Sequence, residues 1–147
     1  MKRHLLLGHL VTLFLGSSIY ICFRTDTLLM FKWFDNLNMT DLMTNIRHVS
    51  IPYKDYLADW VLFSLPDGLW LFSYVSLILY IWDKRVNMKN ITWLTIIPII
   101  AILSELGQFF SVIPGTFDIA DLTFYLIGTV LPFVIFNFQF NYKTKTT

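Results

Sequence analysis

The sequence predicts an all-α fold: a single-domain, membrane-spanning bundle of four transmembrane helices, with a short interfacial helix in the first outer loop. Three observations carry that prediction. Of the 147 residues, 56% are apolar and only 14% are charged, where soluble domains run to about a quarter charged. Four runs, approximately 5–23, 65–82, 91–110 and 119–140, come close to or reach the roughly 20 apolar residues that a bilayer crossing needs. The Lys and Arg residues of the short links concentrate at one end of those runs, as a multi-pass topology requires.

The first run, Leu5 to Phe23, has no charge, and His9 sits near its start. Lys2 and Arg3 ahead of it and Gly16-Ser17-Ser18 within it are features of a secretory leader. The apolar run nevertheless continues through Ile19 to Phe23 without a small-x-small cleavage site, and bulky Ile21 precedes Cys22. The segment therefore reads as a retained helix. Cys22 stands alone, so the chain has neither an intrachain disulfide nor a Cys-based metal site.

The link 24–64 has two apolar patterns. Leu28 to Phe31, with Trp33 and Phe34, form a patch. Thr40-Asp41 then reads as a helix start, and Leu42, Met43, Ile46 and Val49 follow at helical spacing, with Asp41, Asn45 and Arg47 elsewhere. An amphipathic helix lying in the membrane interface is expected there. Tyr56, Trp60 and Trp70 fit an aromatic belt at the same membrane face.

The second run opens with Ser64-Leu65-Pro66-Asp67-Gly68. Ser-x-x-Asp is a capping-box spacing, and Pro66 falls in the first turn, where its missing N–H does no harm. The third run contains Glu105, and Pro114-Gly115 marks a turn after it. The fourth opens on Asp118 and Asp121, again three apart. No internal repeat relates the runs.

Charge in the links sets the orientation. Lys2 and Arg3 precede the first run, Lys84, Arg85 and Lys89 join the second to the third, and Lys143 and Lys145 follow the fourth. The link 111–118 has no basic residue. Both termini are therefore expected in the cytoplasm. A net charge of +1 and the lack of a basic patch interleaved with aromatics exclude nucleic acid as a partner.

This orientation gathers Asp67, Glu105, Asp118 and Asp121 at the outer face, while residues 104–128 contain no Lys or Arg. Acids in a first helical turn are favoured by the helix dipole, about 0.3–1 kcal/mol each, which accounts for Asp67, Asp118 and Asp121 as helix starts. Glu105 is different. It lies about five residues, or roughly 8 Å, inside the end of its run. A carboxylate at membrane depth costs on the order of 2–3 kcal/mol and usually faces a cavity or partner. Gln108 shares its helix face, and Ser104 borders it. Two states satisfy Glu105: a neutral acid, or a carboxylate facing a cation or polar ligand. The short turn makes the third and fourth helices antiparallel neighbours. Glu105 and Gln108 are then expected to converge with Asp118, Asp121 and Tyr125 on one outward-facing pocket, with Asp67 at its rim. His4, His9 and His48 lie apart, without metal-ligand spacing, and read as polar surface residues.

The ordered set Glu105-x-x-Gln108, the Pro114-Gly115 turn, Asp118-Ile119-Ala120-Asp121 and Gly128 resembles the signature of the VanZ-like family of bacterial integral membrane proteins, named for a member linked to teicoplanin resistance. The resemblance is strongest over 104–128 and extends more weakly to Leu65-Pro66-Asp67-Gly68-Leu69-Trp70. Family members often have Arg after the turn glycine and Asn four residues after the second aspartate, where this chain has Thr116 and Tyr125. The resemblance implies a multi-pass protein of the bacterial cytoplasmic membrane with a cell-envelope role.

The residues support three classes of function. One is a binding protein whose acidic pocket takes a lipid headgroup, a glycopeptide or a cation. Another is an intramembrane enzyme acting on a lipid-linked envelope precursor, with Glu and Asp as general acid and base or as metal ligands. The third is a structural role, in which the polar residues join helices. Membrane lipids are partners in all three, and the sequence specifies no cofactor.

Overall fold

The computed structural model describes residues 2–140. The chain forms α1 (Lys2–Phe23), α2 (Leu29–Asn36), α3 (Thr40–Ser50), a 3-10 turn (Ile51–Tyr56), α4 (Asp59–Leu62), α5 (Leu65–Ile81), α6 (Ile91–Phe109) and α7 (Ile119–Phe136). Among the described residues, α1, α6 and α7 are long and apolar enough to cross a membrane, and α5 is a shorter apolar helix of 17 residues. Large apolar side chains cover the outside of the bundle, among them Phe14, Ile99, Ile100, Val130 and Val134. That surface suits hydrocarbon rather than water, and helices keep their backbone polar groups paired there. Pro98 and Pro132 are buried inside α6 and α7.

The shortest of the four main helices lies at the centre. Along α5, Phe72, Val75, Ile78 and Leu79 join Leu5, Leu94 and Phe136 in a buried apolar core. α1 runs antiparallel to α5: Gly16 lies against Trp70 and the Pro66 carbonyl, and Gly8 against Phe72. His9 is part of this packing, with Nδ1 2.7 Å from the Ser73 hydroxyl and 3.1 Å from the Ser73 carbonyl. It is a helix-joining residue, not the surface residue expected from its isolation in the sequence. Trp70 likewise packs inward, with its ring 4.9 Å from that of Tyr20 and its N–H donating to Ser17 at 3.4 Å. α7 runs parallel to α5 and crosses it at Gly68 and Gly128. A Cβ on Gly128 would strike the Gly68 carbonyl, so the crossing depends on two residues without side chains. α6 returns antiparallel to both, with the Tyr74 hydroxyl donating to the Trp93 carbonyl. The C-terminal ends of α1 and α6 and the N-terminal ends of α5 and α7 thus meet at one end of the bundle.

At that end, α3 is fastened to α1. The Arg47 guanidinium donates to the Ile21 and Arg24 carbonyls at 2.9 and 2.7 Å and lies 4.9 Å from the Phe31 ring on α2. Ser50 reaches the Cys22 carbonyl at 3.3 Å. The last carbonyls of a helix have no partner within it, and side chains of α3 supply them here. Met43 is the buried residue of α3, while Leu42 and Val49 face outward.

Two helix ends differ from the sequence expectation, and a third, within one residue of its expected bound, closes without the usual glycine. Ser64 does not cap α5. Its backbone is helical (φ −93°, ψ −39°), and its hydroxyl is buried without a hydrogen-bond partner. An N-cap side chain reaches the first free N–H groups from an extended backbone. Here α4 precedes instead, and the Phe63 and Ser64 N–H groups bond to the Asp59 and Trp60 carbonyls. Pro66 does lie in the first turn, as expected. α6 ends at left-handed Ser111 (φ 56°), before Pro114-Gly115. Ser111 and Val112 donate back to Gln108 and Gly107, a Schellman closure in which serine replaces the usual glycine. The fourth run is shorter than 119–140. Left-handed Asn137 (φ 46°) closes α7 at Phe136, and β2 (Gln139–Phe140) pairs in parallel with β1 (Arg85–Val86). Phe138 and Phe140 made the run look continuous, because apolar side chains serve a strand as well as a helix. The basic residues Lys143 and Lys145 lie outside the described residues.

Candidate functional site

One cavity of about 450 Å³ opens at the end of the bundle where α5 and α7 begin and α6 ends. Asp67, Glu105, Gln108, Asp118, Asp121 and Tyr125, the residues singled out by spacing, all line it, together with Arg24, Phe63 and Thr116.

Glu105 is the most buried of them, 3% exposed at the last-but-one turn of α6. Its Oε2 accepts a long hydrogen bond, 3.4 Å, from the Asp118 N–H. Asp118 is the N-cap of α7, with extended backbone (φ −129°, ψ 123°) and a carboxylate that accepts from the Ala120 N–H at 2.8 Å. In a complete capping box the Asp118 N–H would bond to the side chain three residues on. That side chain is Asp121, but the N–H points instead to Glu105. Asp121 is released from the local motif, and its buried Oδ1 has no hydrogen-bond partner. The two sequence-local caps thus diverge: Asp118 serves its helix and Asp121 faces the cavity.

Gln108 packs on Gly115. A Cβ at Gly115 would come 2.8 Å from the Gln108 side chain, and its φ of +142° already favours glycine. The turn glycine therefore sets the position of Gln108. Asp67 is half-buried in the first turn of α5 and lies 3.5 Å from the Tyr125 hydroxyl, the long limit of a hydrogen bond. It lines the cavity.

The sequence reading missed Arg24. The guanidinium absent from 104–128 comes from the residue after α1, more than 40 positions before the nearest carboxylate of the site. It lies 5.1 Å from the Tyr20 ring centre and 5.0 Å from that of Phe63, an arrangement that holds a cation over π faces. It shares the cavity lining with Asp67. A usable signal existed: Arg24 closes the first apolar run at the face where Asp67 opens the second. Trp60, expected in an aromatic belt, stacks on Phe124 of α7 at 5.6 Å, while Tyr56 is exposed.

Four carboxylates and one guanidinium thus share a half-enclosed chamber with an amide and a phenol. No group of three or more His, Cys, Asp or Glu side chains among the described residues is placed to hold a metal ion. The carboxylates line a common space without converging on one point. Such a chamber suits a hydrogen-bonding or positively charged organic group better than a small divalent ion, which demands close oxygen ligands. No family model, curated protein or solved structure matches the chain.

Proposed function

We propose that the chain is a VanZ-like protein of the bacterial cytoplasmic membrane, with four spans and both termini in the cytoplasm, and that its cavity faces outward and binds a polar group of an envelope component. The convergence of all six spacing-selected residues on one cavity, with Glu105 almost fully buried, is the observation that carries this reading. A carboxylate buried at membrane depth, held by one long hydrogen bond, is costly unless a ligand repays it. α5 counts as the fourth span because α1 and α7, each long enough to cross, pack along it on both sides. The basic link 83–89 and the uncharged-to-acidic link 111–118 orient the bundle with the cavity outside. α3, with Leu42 and Val49 facing outward beside the end of α1, lies in the outer interface. The resemblance of residues 104–128 is the support for a link to glycopeptide (teicoplanin) resistance.

An enzyme acting on a lipid-linked precursor is the second reading; in it Glu105 and the aspartates serve as general acid and base, since no group of them is placed to hold a metal ion. Native mass spectrometry of the protein extracted gently from its own membrane tests the binding reading. A co-purifying molecule should be retained by the wild-type chain and lost in Glu105→Gln, while the variant's melting temperature stays at or above that of the wild type. Identical bound molecules in the two proteins would refute the reading.

A further inference from the structure

We infer that the polar cavity and an apolar groove beside it form one site for an amphiphile: the cavity takes a headgroup bearing an amine or similar organic cation, and the groove takes the hydrocarbon chain attached to it. This rests on the binding role proposed above and adds the chemical class of the ligand.

The groove, also of about 450 Å³, is lined by Asp67, Trp70, Leu71, Tyr74, Ile97 and Tyr125. Asp67 and Tyr125 belong to both depressions and face one another across 3.5 Å. They are the neck between a charged chamber and an apolar one. From Asp67 to Tyr74 the groove follows α5 for seven residues, roughly 10 Å at 1.5 Å per residue, away from the α6–α7 loop and into the span. Its polar groups are already engaged. The Trp70 N–H donates to Ser17, and the Tyr74 hydroxyl donates to the Trp93 carbonyl. The surface left for an occupant is ring faces with Leu71 and Ile97, which hydrocarbon matches. At the neck the chemistry changes within one residue.

The headgroup's charge follows from the cavity. Four carboxylates outnumber one guanidinium, and Arg24 is already seated on the Tyr20 and Phe63 rings. The unpartnered Asp121 oxygen and the weakly bonded, almost fully buried Glu105 both require a donor. An ammonium supplies several N–H donors and a positive charge, and it can sit among carboxylates that are not placed around one point.

The test uses the full chain in phosphatidylcholine nanodiscs with n-propylamine, n-dodecylamine and n-dodecyl phosphate as probes, reading apparent affinity from the ligand-dependent shift in unfolding midpoint. Ile97→Trp fills the groove from its half-exposed α6 wall, and Glu105→Gln removes the deepest carboxylate. Propylamine should bind, and Glu105→Gln should weaken both amines by about tenfold or more. Dodecylamine should bind the wild type at least about tenfold more tightly than propylamine, since burying a few methylenes suffices for that gain. Because any bilayer concentrates a long-chain amine, the decisive comparison is Ile97→Trp, which should lose most of the chain gain while binding propylamine as the wild type does. An equal chain gain in wild type and Ile97→Trp would refute the groove and leave the polar pocket standing. If no amine binds, or Glu105→Gln binds amines as the wild type does, the pocket itself fails as a cation site. Dodecyl phosphate binding more tightly than dodecylamine would overturn the assigned headgroup charge.

Discussion

Replacing Gly128 with Ala tests how the site is held together. Gly128 lies one turn beyond Tyr125 on α7, at the crossing with Gly68, the neighbour of Asp67. The added methyl would collide with the Gly68 carbonyl oxygen and lie 3.0 and 3.2 Å from the Gly68 carbonyl carbon and Cα. These are backbone atoms of a helix and cannot rotate away. Bringing the methyl out to ordinary contact with that carbonyl oxygen requires α5 and α7 to part by about 1 Å. Overpacking of this kind costs about 1–3 kcal/mol, and the rigid obstacle places it at the upper end. Alanine returns about 1 kcal/mol as the better helix former. The net expectation is a loss of about 2 kcal/mol. Gly107→Ala is the internal control. It has the same propensity gain, but the nearest obstacle to its methyl is the Ile113 side chain, which is half-exposed and able to swing aside. Equilibrium unfolding of both variants in mixed micelles should show Gly107→Ala within about 0.5 kcal/mol of the wild type or above it, and Gly128→Ala clearly below. Equal stability of the two would refute the close crossing, and with it the placement of Asp67 beside Tyr125.

Three further variants test the rest of the framework. Arg47→Met removes both donors from the Ile21 and Arg24 carbonyls; it should cost about 2 kcal/mol and speed hydrogen exchange in the last turn of α1 and along α3, whereas unchanged exchange there would show that α3 is not fastened to α1. Ser64→Ala should be neutral or slightly stabilising in thermal unfolding, because the buried hydroxyl has no partner; a loss near the 1 kcal/mol or so typical of an N-cap would restore the capping role. For topology, Met88→Cys and Thr116→Cys in a Cys22→Ser background should respectively resist and accept an impermeant thiol reagent on intact cells, and the reverse pattern would invert the proposed orientation.

Much of this architecture is local, and local features are legible in a sequence. The four apolar runs became α1, α5, α6 and α7, the first three at nearly the expected bounds and α7 four residues shorter, because helix hydrogen bonds span only four residues and the side chains of each run suit lipid. Glu105 and Gln108 were placed on one face by their spacing alone, and Asp118 was recognisable as a helix start because capping involves residues two or three apart. The short link between α6 and α7 then left little freedom over what faced what. Tertiary structure decided everything that depended on distant partners. Ser64 lost its capping role because α4 delivers the chain already coiled. Asp121 was freed from its box because Glu105 takes the Asp118 N–H across the α6–α7 pair. Arg24 reached the carboxylates only because α1 packs antiparallel along α5 and ends beside Asp67. The groove beside Asp67 is apolar because Trp70 and Tyr74 direct their polar groups to α1 and α6. Only Ser64 was decided by its immediate neighbours; Asp121, Arg24 and the groove depend on groups far apart in the chain, which the packing of whole helices, set by Gly68 against Gly128 and by the apolar core, brings together.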